Sequence, residues 1–251
     1  MLSSREQNPN GQGPSRADLA RAGFINTTRA QRLLADPALT PLLQAIPVGQ
    51  LLSDLSDSPD PDQATLALVR LCEASPKPEQ LAQDLKRSSH RRRLLALLGA
   101  SSALGDFLIA HPDSVACLDQ EFDAEKVAAT MTSRVKRALE AGSIPDAVHG
   151  LRLGYYQALC TIAAGDLTHP QPLQYMPQVG LQLSQLADAA VAAALPIAYR
   201  KTGASNQLAF CVIAMGKTGA RELNYISDVD VMYVVGGALD ETQATAVGSA
   251  V

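Results

Sequence analysis

Two aspartates one residue apart, Asp228 and Asp230, are the residues of this chain whose types and spacing are best suited to chemistry. They follow a glycine-rich turn that contains Lys217. Mg²⁺ prefers oxygen ligands, and it usually combines one or two carboxylates with water and phosphate oxygens. A pair of such ions about 3.5–4 Å apart can stabilise both the attacking and the leaving oxygen of a displacement at phosphorus. The pattern is therefore typical of half of a metal-dependent nucleotidyl-transfer site.

The elements that must position these aspartates are two apolar runs, 208–214 and 229–235. Both are rich in Val, Ile, Phe and Tyr, are bounded by glycine and polar residues, and predict buried strands. Alternate side chains of a strand share a face, which would place Asp228 and Asp230 together with their Cα atoms roughly 6.6 Å apart. Two carboxylates in that arrangement can bind the same ions.

The turn before the aspartates suits a phosphate. Gly216 and Gly219 permit positive φ angles and a close approach of backbone amides to an anion. Lys217, Asn224 and Ser227 are candidate donors. We therefore expect the turn to hold phosphate groups beside the metal ligands.

A longer match accompanies these residues. The segment 214–230 resembles the signature of the bifunctional glutamine synthetase adenylyltransferase and adenylyl-removing enzymes, a branch of the polymerase-β-like nucleotidyltransferases. Segments 94–106, 163–167 and 186–189 resemble the helices that precede the catalytic sheet of that family. The resemblance covers roughly residues 16–251.

The resemblance implies a reaction. Family enzymes are longer and carry two nucleotidyltransferase domains, of which the N-terminal one removes AMP from a tyrosine of glutamine synthetase, using inorganic phosphate and releasing ADP. Here the motif follows a helical leader that begins at Met1, so we expect it to belong to that adenylyl-removing domain. The motif alone is equally compatible with AMP transfer from ATP to glutamine synthetase. A non-catalytic scaffold that binds glutamine synthetase or a PII-type signalling protein is a third interpretation.

The resemblance also assigns residue roles. Asp228 and Asp230 would be catalytic Mg²⁺ ligands, and Gly216, Lys217 and Ser227 would shape the nucleotide and phosphate pocket. The third carboxylate of the family lies on a later strand, which is absent from this sequence. We therefore expect weak metal binding and little or no activity from the chain alone.

The sequence leaves open the roles of two segments that carry or should carry arginines. The family's arginine-rich helix corresponds to 151–157, where only Arg152 remains, and a docking contact or a solvated helix face fits equally. The dense basic run 86–93 is typical of a polar helix start or solvated face, or of a contact for an acidic partner.

Composition limits the remaining possibilities. The chain has 47% hydrophobic and only 4% aromatic residues, which favours close-packed helices, and its net charge of -4 with no Trp gives nucleic-acid binding no support. The four cysteines are far apart, as expected for reduced thiols in a cytoplasmic protein. Residues 1–15 lack the apolar core of a signal peptide. The apolar run 94–105 is shorter than the roughly 18 residues of a membrane span. We expect neither nucleic acid nor membrane as a partner.

These patterns predict an α+β chain, a mostly helical N-terminal region that leads into the start of a polymerase-β-like nucleotidyltransferase sheet, which is truncated. Its expected parts are a disordered N-terminus (1–15), a helical leader (16–203) and an incomplete nucleotidyltransferase domain (204–251). Ser15 and Asp18 suggest a capping box. A further helix is expected to begin at 240–241, and Pro196 should kink or divide the last leader helix. The principal predicted helices are 78–88, 91–110, 123–141, 144–165 and 176–202.

Overall fold

The computed structural model describes residues 13–204, 209–236 and 241–251. The chain divides into two compact units, Met1–Asp119 and Gln120–Val251. Most of the N-terminal stretch predicted to be disordered lies outside the described residues. The predicted division into 1–15, 16–203 and 204–251 stays a prediction.

The described part of the first unit is built from helices around a central one. Its α-helices are α1 (Arg16–Arg21), α2 (Thr27–Leu34), α3 (Thr40–Ala45), α4 (Val48–Ser56), α5 (Pro61–Ala74), α6 (Pro78–Asp84), α7 (Ser88–Ala100) and α8 (Ser102–Ala110), with 3-10 segments at Pro37–Leu39 and Pro112–Asp119. α5 contacts α2, α4, α6, α7 and α8, and its Leu68 and Leu71 are fully buried. This leucine-rich core is the close helix packing that the composition predicts.

Side-chain caps set several of the helix boundaries. The Ser15 hydroxyl accepts a hydrogen bond from the Asp18 N–H and the Asp18 carboxylate accepts one from the Ser15 N–H, which confirms the predicted capping box. The single helix predicted over 91–110 is wrong, because it is divided at Ser101. There the backbone is extended and the Ser101 hydroxyl accepts from the Leu104 N–H, capping α8. The apolar pattern runs through this break, so periodicity alone does not reveal it.

The basic run 86–93 begins α7 as predicted, but two of its arginines contact acidic residues of the same unit. The side chain of Arg91 is 1% exposed, and its Nε donates to Asp54 Oδ2 at 2.6 Å. Arg87 forms an ion pair with Asp119. A solvated face or a surface for an acidic partner is therefore the wrong interpretation for the buried Arg91, whereas Arg87 stays 59% exposed, as a solvated face would have it.

The second unit combines long helices with a small sheet. Its elements are α9 (Ala124–Glu140), α10 (Ile144–Leu167), α11 (Pro172–Thr202), β1 (Ala209–Ala214), α12 (Gly216–Gly219), β2 (Val231–Gly236) and α13 (Glu241–Ala250). α9, α10 and α11 pack on one another, and Met131, Ile162 and Leu186 are among the buried residues between them. The helix expected at 240–241 is α13, although residue 240 lies outside the described residues. At this level the α+β class is confirmed.

α11 is the central helix of this unit. It runs unbroken through Pro177 and Pro196, so a division at Pro196 is wrong, and the alternative of a kink there stays a prediction. The lost hydrogen bond is offset by packing on both sides of the proline, where Ala193 and Ala198 are buried. α11 is also long and apolar enough to cross a membrane, but half of its apolar window is buried inside the unit. Its contacts with α9 and α10 account for that apolar character.

The strands β1 and β2 are antiparallel, with Ala214 opposite Val231. One face packs through Phe210 and Val235 against α11 and α13. The other face is open, and its Ile213, Met232 and Val234 are exposed. The prediction of two buried strands is therefore wrong. In the described residues the sheet has two strands, and helices cover one of its faces.

Candidate functional site

The predicted site lies where β1 ends and β2 begins. The N–H of Met215 donates to the carbonyl of Asp230 at 2.8 Å, which continues the strand pairing by one step. Gly216 follows with a φ of +51°, and a Cβ on it would lie 2.6 Å from Asp230 Oδ2. A side chain at 216 would push this carboxylate out of its present position, so the structure brings Gly216 and Asp230 together.

The sequence argument for the second aspartate needs a correction. β2 begins at Val231, so Asp228 and Asp230 both precede the strand, and a shared strand face does not position them. The pairing with Met215 positions Asp230, whereas Asp228 lies in the loop before it. Both aspartates are exposed and accessible to a ligand.

A side-chain turn positions the residues directly before Asp228. Asn224 Oδ1 accepts from the N–H of Ile226 at 3.1 Å and from the hydroxyl of Ser227 at 2.8 Å. The N–H of Ser227 also donates to the Asn224 carbonyl. Ser227 therefore lies beside Asp228 as predicted, but its hydroxyl hydrogen is already used. To donate to a phosphate, the Ser227 hydroxyl must break its hydrogen bond to Asn224 and form one to the ligand.

The glycine turn is closed by backbone hydrogen bonds. The N–H of Ala220 donates to the Gly216 carbonyl at 3.0 Å, and that of Glu222 donates to the Lys217 carbonyl at 2.9 Å. A Cβ on Gly219 would lie 2.6 Å from the carbonyl oxygen of Ala214, so this position also excludes a side chain. The Lys217 side chain is exposed on this turn.

One face of α11 holds the segment that follows the turn. A Cβ on Gly180 would lie 3.3–3.5 Å from the backbone of 221–223, so this part of the loop lies directly on the helix. The hydroxyl of Ser184, one turn further, accepts from the N–H of Leu223 at 3.4 Å. Asp188, a further turn along, forms an ion pair with Arg221.

A second contact joins the loop to α10. The hydroxyl of Tyr225 donates to Asp166 Oδ2 at 3.0 Å. Burial, and after it the Asp166 carboxylate, raises the pKa of Tyr225 above its usual value. The phenol therefore stays protonated, and a donor, throughout the physiological pH range.

Sequence reasoning missed these anchoring residues, although a signal for them was present. Segments 163–167 and 186–189, which contain Asp166 and Asp188, were singled out only for their resemblance to the family. The spacing of Gly180, Ser184 and Asp188 places them on one face of a helix, but nothing in the sequence names the segment that lies on that face.

The donors present suit part of a magnesium site. Asp228 and Asp230 offer hard carboxylate oxygens, and Gly216 keeps space beside one of them. Across the described ranges, no group of three or more His, Cys, Asp or Glu residues is placed to hold a metal ion. The chemistry of the pair fits Mg²⁺, which commonly takes one or two carboxylates and completes its shell with water and substrate.

A cavity of about 740 Å³ lies elsewhere in the second unit. It is bordered by α9 and the C-terminal half of α11, and its lining includes Val135, Leu139, Pro196 and Tyr199. None of the predicted site residues lines it. The predicted site residues therefore lie at the exposed turn and not in this cavity.

Comparison with known proteins places the turn within a longer match. The profile of a family described as glutamate-ammonia ligase adenylyltransferase matches residues 91–248. A bifunctional glutamine synthetase adenylyltransferase/adenylyl-removing enzyme of Mycobacterium avium (strain 104) is 39% identical over 258 residues, which cover 96% of this chain and 24% of that protein.

Proteins with the same description from two other organisms give similar results. The one from Leifsonia xyli subsp. xyli is 35% identical over 238 residues, covering 88% of this chain and 23% of that protein. The one from Streptomyces avermitilis is 40% identical over 224 residues, covering 86% and 21%. The chain spans about a fifth to a quarter of the length of these curated relatives.

Proposed function

Because the chain belongs to the glutamate-ammonia ligase adenylyltransferase family, we propose that it is part of a cytoplasmic enzyme that controls glutamine synthetase by reversible adenylylation. In this proposal residues 204–251 open a nucleotidyltransferase domain of the polymerase-β type, and 16–203 form its helical leader. The family match runs through both the proposed leader and the turn.

Asp228 and Asp230 are the proposed Mg²⁺ ligands, and Gly216, Lys217 and Ser227 are the proposed phosphate-binding residues. The observation that carries this assignment is the close approach of Gly216 to the Asp230 carboxylate, inside the matched segment. A side chain at 216 would occupy the space in which that carboxylate lies. When bound, Mg²⁺ supplies positive charge that stabilises the crowded phosphoryl centre.

The proposed reaction is removal of AMP by phosphorolysis. An oxygen of inorganic phosphate attacks the adenylyl phosphorus, the bond from phosphorus to the tyrosyl oxygen breaks, that oxygen takes up a proton, and ADP leaves. The chain's own contribution is to bind and orient the phosphates, with the exposed ammonium of Lys217 balancing negative charge. The partners are thus adenylylated glutamine synthetase, phosphate and adenine nucleotide. A PII-type signalling protein is a further proposed partner.

Paired assays test the direction of the reaction. The 251-residue chain, and a hybrid in which it replaces the matching segment of the Mycobacterium avium relative, are given adenylylated glutamine synthetase with phosphate, then unmodified glutamine synthetase with ATP. We expect the hybrid to form ADP in the first assay. Because the remaining part of the relative could itself transfer AMP, the Asp228→Asn form of the hybrid is assayed beside it. If this change removes AMP transfer in the second assay and leaves ADP formation in the first, the proposed direction is wrong.

The residue assignment is tested in the same hybrid. Asp228→Asn and Asp230→Asn should each abolish ADP formation, since each removes one anionic ligand. Asp106→Asn is the matched control, because Asp106 is an exposed aspartate of the first unit that pairs with Arg70. If ADP formation persists in both site variants, these two carboxylates are not part of the mechanism.

A further inference from the structure

We propose that Asp188 on α11 and Asp166 on α10 are positioning residues, which hold the loop carrying Asp228 and Asp230 at its start and at its middle. This inference rests on the proposed function, in which Asp228 and Asp230 bind the metal. In this inference Asp228 and Asp230 bind the metal, whereas Asp166 and Asp188 bind the loop that carries them.

The first anchor acts on Arg221. This residue has a φ of +64°, a left-handed conformation that a non-glycine residue adopts at a cost in free energy. Such strain persists where the surroundings fix it and is commonly found at functional sites. Here the surroundings are the ion pair with Asp188 and the close contact of 221–223 with Gly180. The side chain and the backbone of this segment are thus held by the same helix face.

This anchor is linked to the carboxylate of Asp230 through the glycine turn. The N–H of Arg221 donates to the carbonyl of Thr218 at 3.2 Å, and that of Ala220 donates to the carbonyl of Gly216. Gly216 in turn lies against Asp230 Oδ2. A shift of Arg221 therefore moves the turn that leaves room for this carboxylate.

The second anchor acts on the middle of the loop, at Tyr225. Tyr225 donates to Asp166 from the middle of the turn that Asn224 closes on Ser227. Asp228 is the next residue after that turn. Without the hydrogen bond to Asp166, this turn loses its side-chain contact with α10. The turn that precedes Asp228 is then no longer held to that helix.

The decisive experiment measures Mn²⁺ affinity, by electron paramagnetic resonance, for the 251-residue chain and its variants at a temperature at which circular dichroism shows all of them folded. The positioning variants are Asp188→Asn and Tyr225→Phe. Asp106→Asn repeats the first change at a similarly exposed ion pair outside the site. Asp228→Asn serves as the reference for a lost site.

We expect each positioning variant to bind Mn²⁺ about two- to fivefold more weakly, as suits contacts at partly exposed groups. Asp106→Asn should bind it as the wild type does, and Asp188→Glu should recover part of the loss because it keeps the charge. Arg221→Gly separates positioning from stability. It eases the left-handed backbone but removes the ion pair, so we expect weaker Mn²⁺ binding with a smaller loss of unfolding free energy than the one we expect for Asp188→Asn.

The outcomes separate this inference from the proposed function. If the wild type binds Mn²⁺, Asp228→Asn does not, and the positioning variants match the wild type, the inference is overturned and the metal assignment stands. Wild-type affinity in Arg221→Gly would also overturn it, since the ion pair would then be dispensable. If wild type and Asp228→Asn bind Mn²⁺ equally, the metal assignment is wrong and the inference is overturned with it.

Discussion

At the scale of single residues, Gly216 meets two demands that favour glycine. Its φ of +51° is costly for residues with a Cβ, and a Cβ would lie 2.6 Å from Asp230 Oδ2. The sequence could predict the first demand, because a glycine before a lysine suggests a tight phosphate turn. The second could not be predicted, because it depends on where the chain returns after 221–229.

Gly216→Ala should therefore affect stability and binding separately. The left-handed backbone should cost about 1–2 kcal/mol of unfolding free energy. The displaced Asp230 carboxylate should weaken Mn²⁺ binding by about tenfold, which corresponds to roughly 1.4 kcal/mol. Chemical denaturation measures the first effect and paramagnetic resonance the second.

Gly142→Ala is the matched control for this change. Gly142 also has a positive φ, of +82°, but a Cβ there would meet nothing within 4 Å. We expect a similar loss of stability and no change in Mn²⁺ affinity. Equal affinities in the two alanine variants would show that the close approach at 216 is not needed for the metal.

Cysteine reactivity gives a second residue-scale prediction. Cys72 is buried, and burial, with a smaller contribution from Glu73, raises its pKa to about 12. Because the thiolate is the nucleophile, iodoacetamide at about pH 8 should modify the exposed Cys211 and spare Cys72 until the protein unfolds. Mass spectrometry of peptides measures both sites in one sample, and equal labelling rates in the native protein would contradict the prediction.

The raised pKa of Cys72 also makes the free energy of unfolding depend on pH in a definite direction. In the unfolded chain a cysteine ionises near pH 8.5, whereas in the folded protein Cys72 stays protonated well above that. The contribution of this thiol is therefore fully present below about pH 8.5 and declines as the pH rises towards 12. Cys72→Ala should remove that part of the alkaline dependence of the unfolding free energy.

At the scale of elements, local signals predict what is locally determined. Asp123 and Ser143 cap α9 and α10, so these helices begin next to the predicted positions. The prediction failed at two positions for different reasons. At Ser101 a local cap on the Leu104 N–H divides the helix, although the apolar pattern continues through this position. At Pro196 the helical packing on both sides outweighs the local cost of the proline.

The loop before β2 shows the same limit. The strand pattern suggested that 229–235 would be one element, yet Asp228 and Asp230 belong to a loop held by α10 and α11. The bonds that hold it join Tyr225 to Asp166 and Leu223 to Ser184. No local propensity encodes pairs so distant in sequence. The sequence thus indicated which residues form the candidate site but not which elements position them.

At the scale of the whole molecule, the two compact units give distinct spectroscopic signals. The chain has no Trp, and all 6 of its tyrosines lie in the second unit, Gln120–Val251. Tyrosine fluorescence therefore reports on the second unit alone, whereas far-ultraviolet circular dichroism reports on the helices of both. Any change confined to the first unit can be separated from one in the second without a label.

The variant Asp54→Ala uses these two signals to test whether the units unfold separately. Arg91 is 1% exposed and pairs with Asp54, so the variant leaves a buried guanidinium without its carboxylate. Losing one partner of a buried pair typically costs about 3–5 kcal/mol. We expect the circular dichroism transition in urea to begin at a lower concentration while the tyrosine transition stays in place, since each unit has its own core. Asp106→Ala, which opens an exposed pair, should leave both signals unchanged. A tyrosine transition that shifts together with the circular dichroism would show instead that the two units unfold as one.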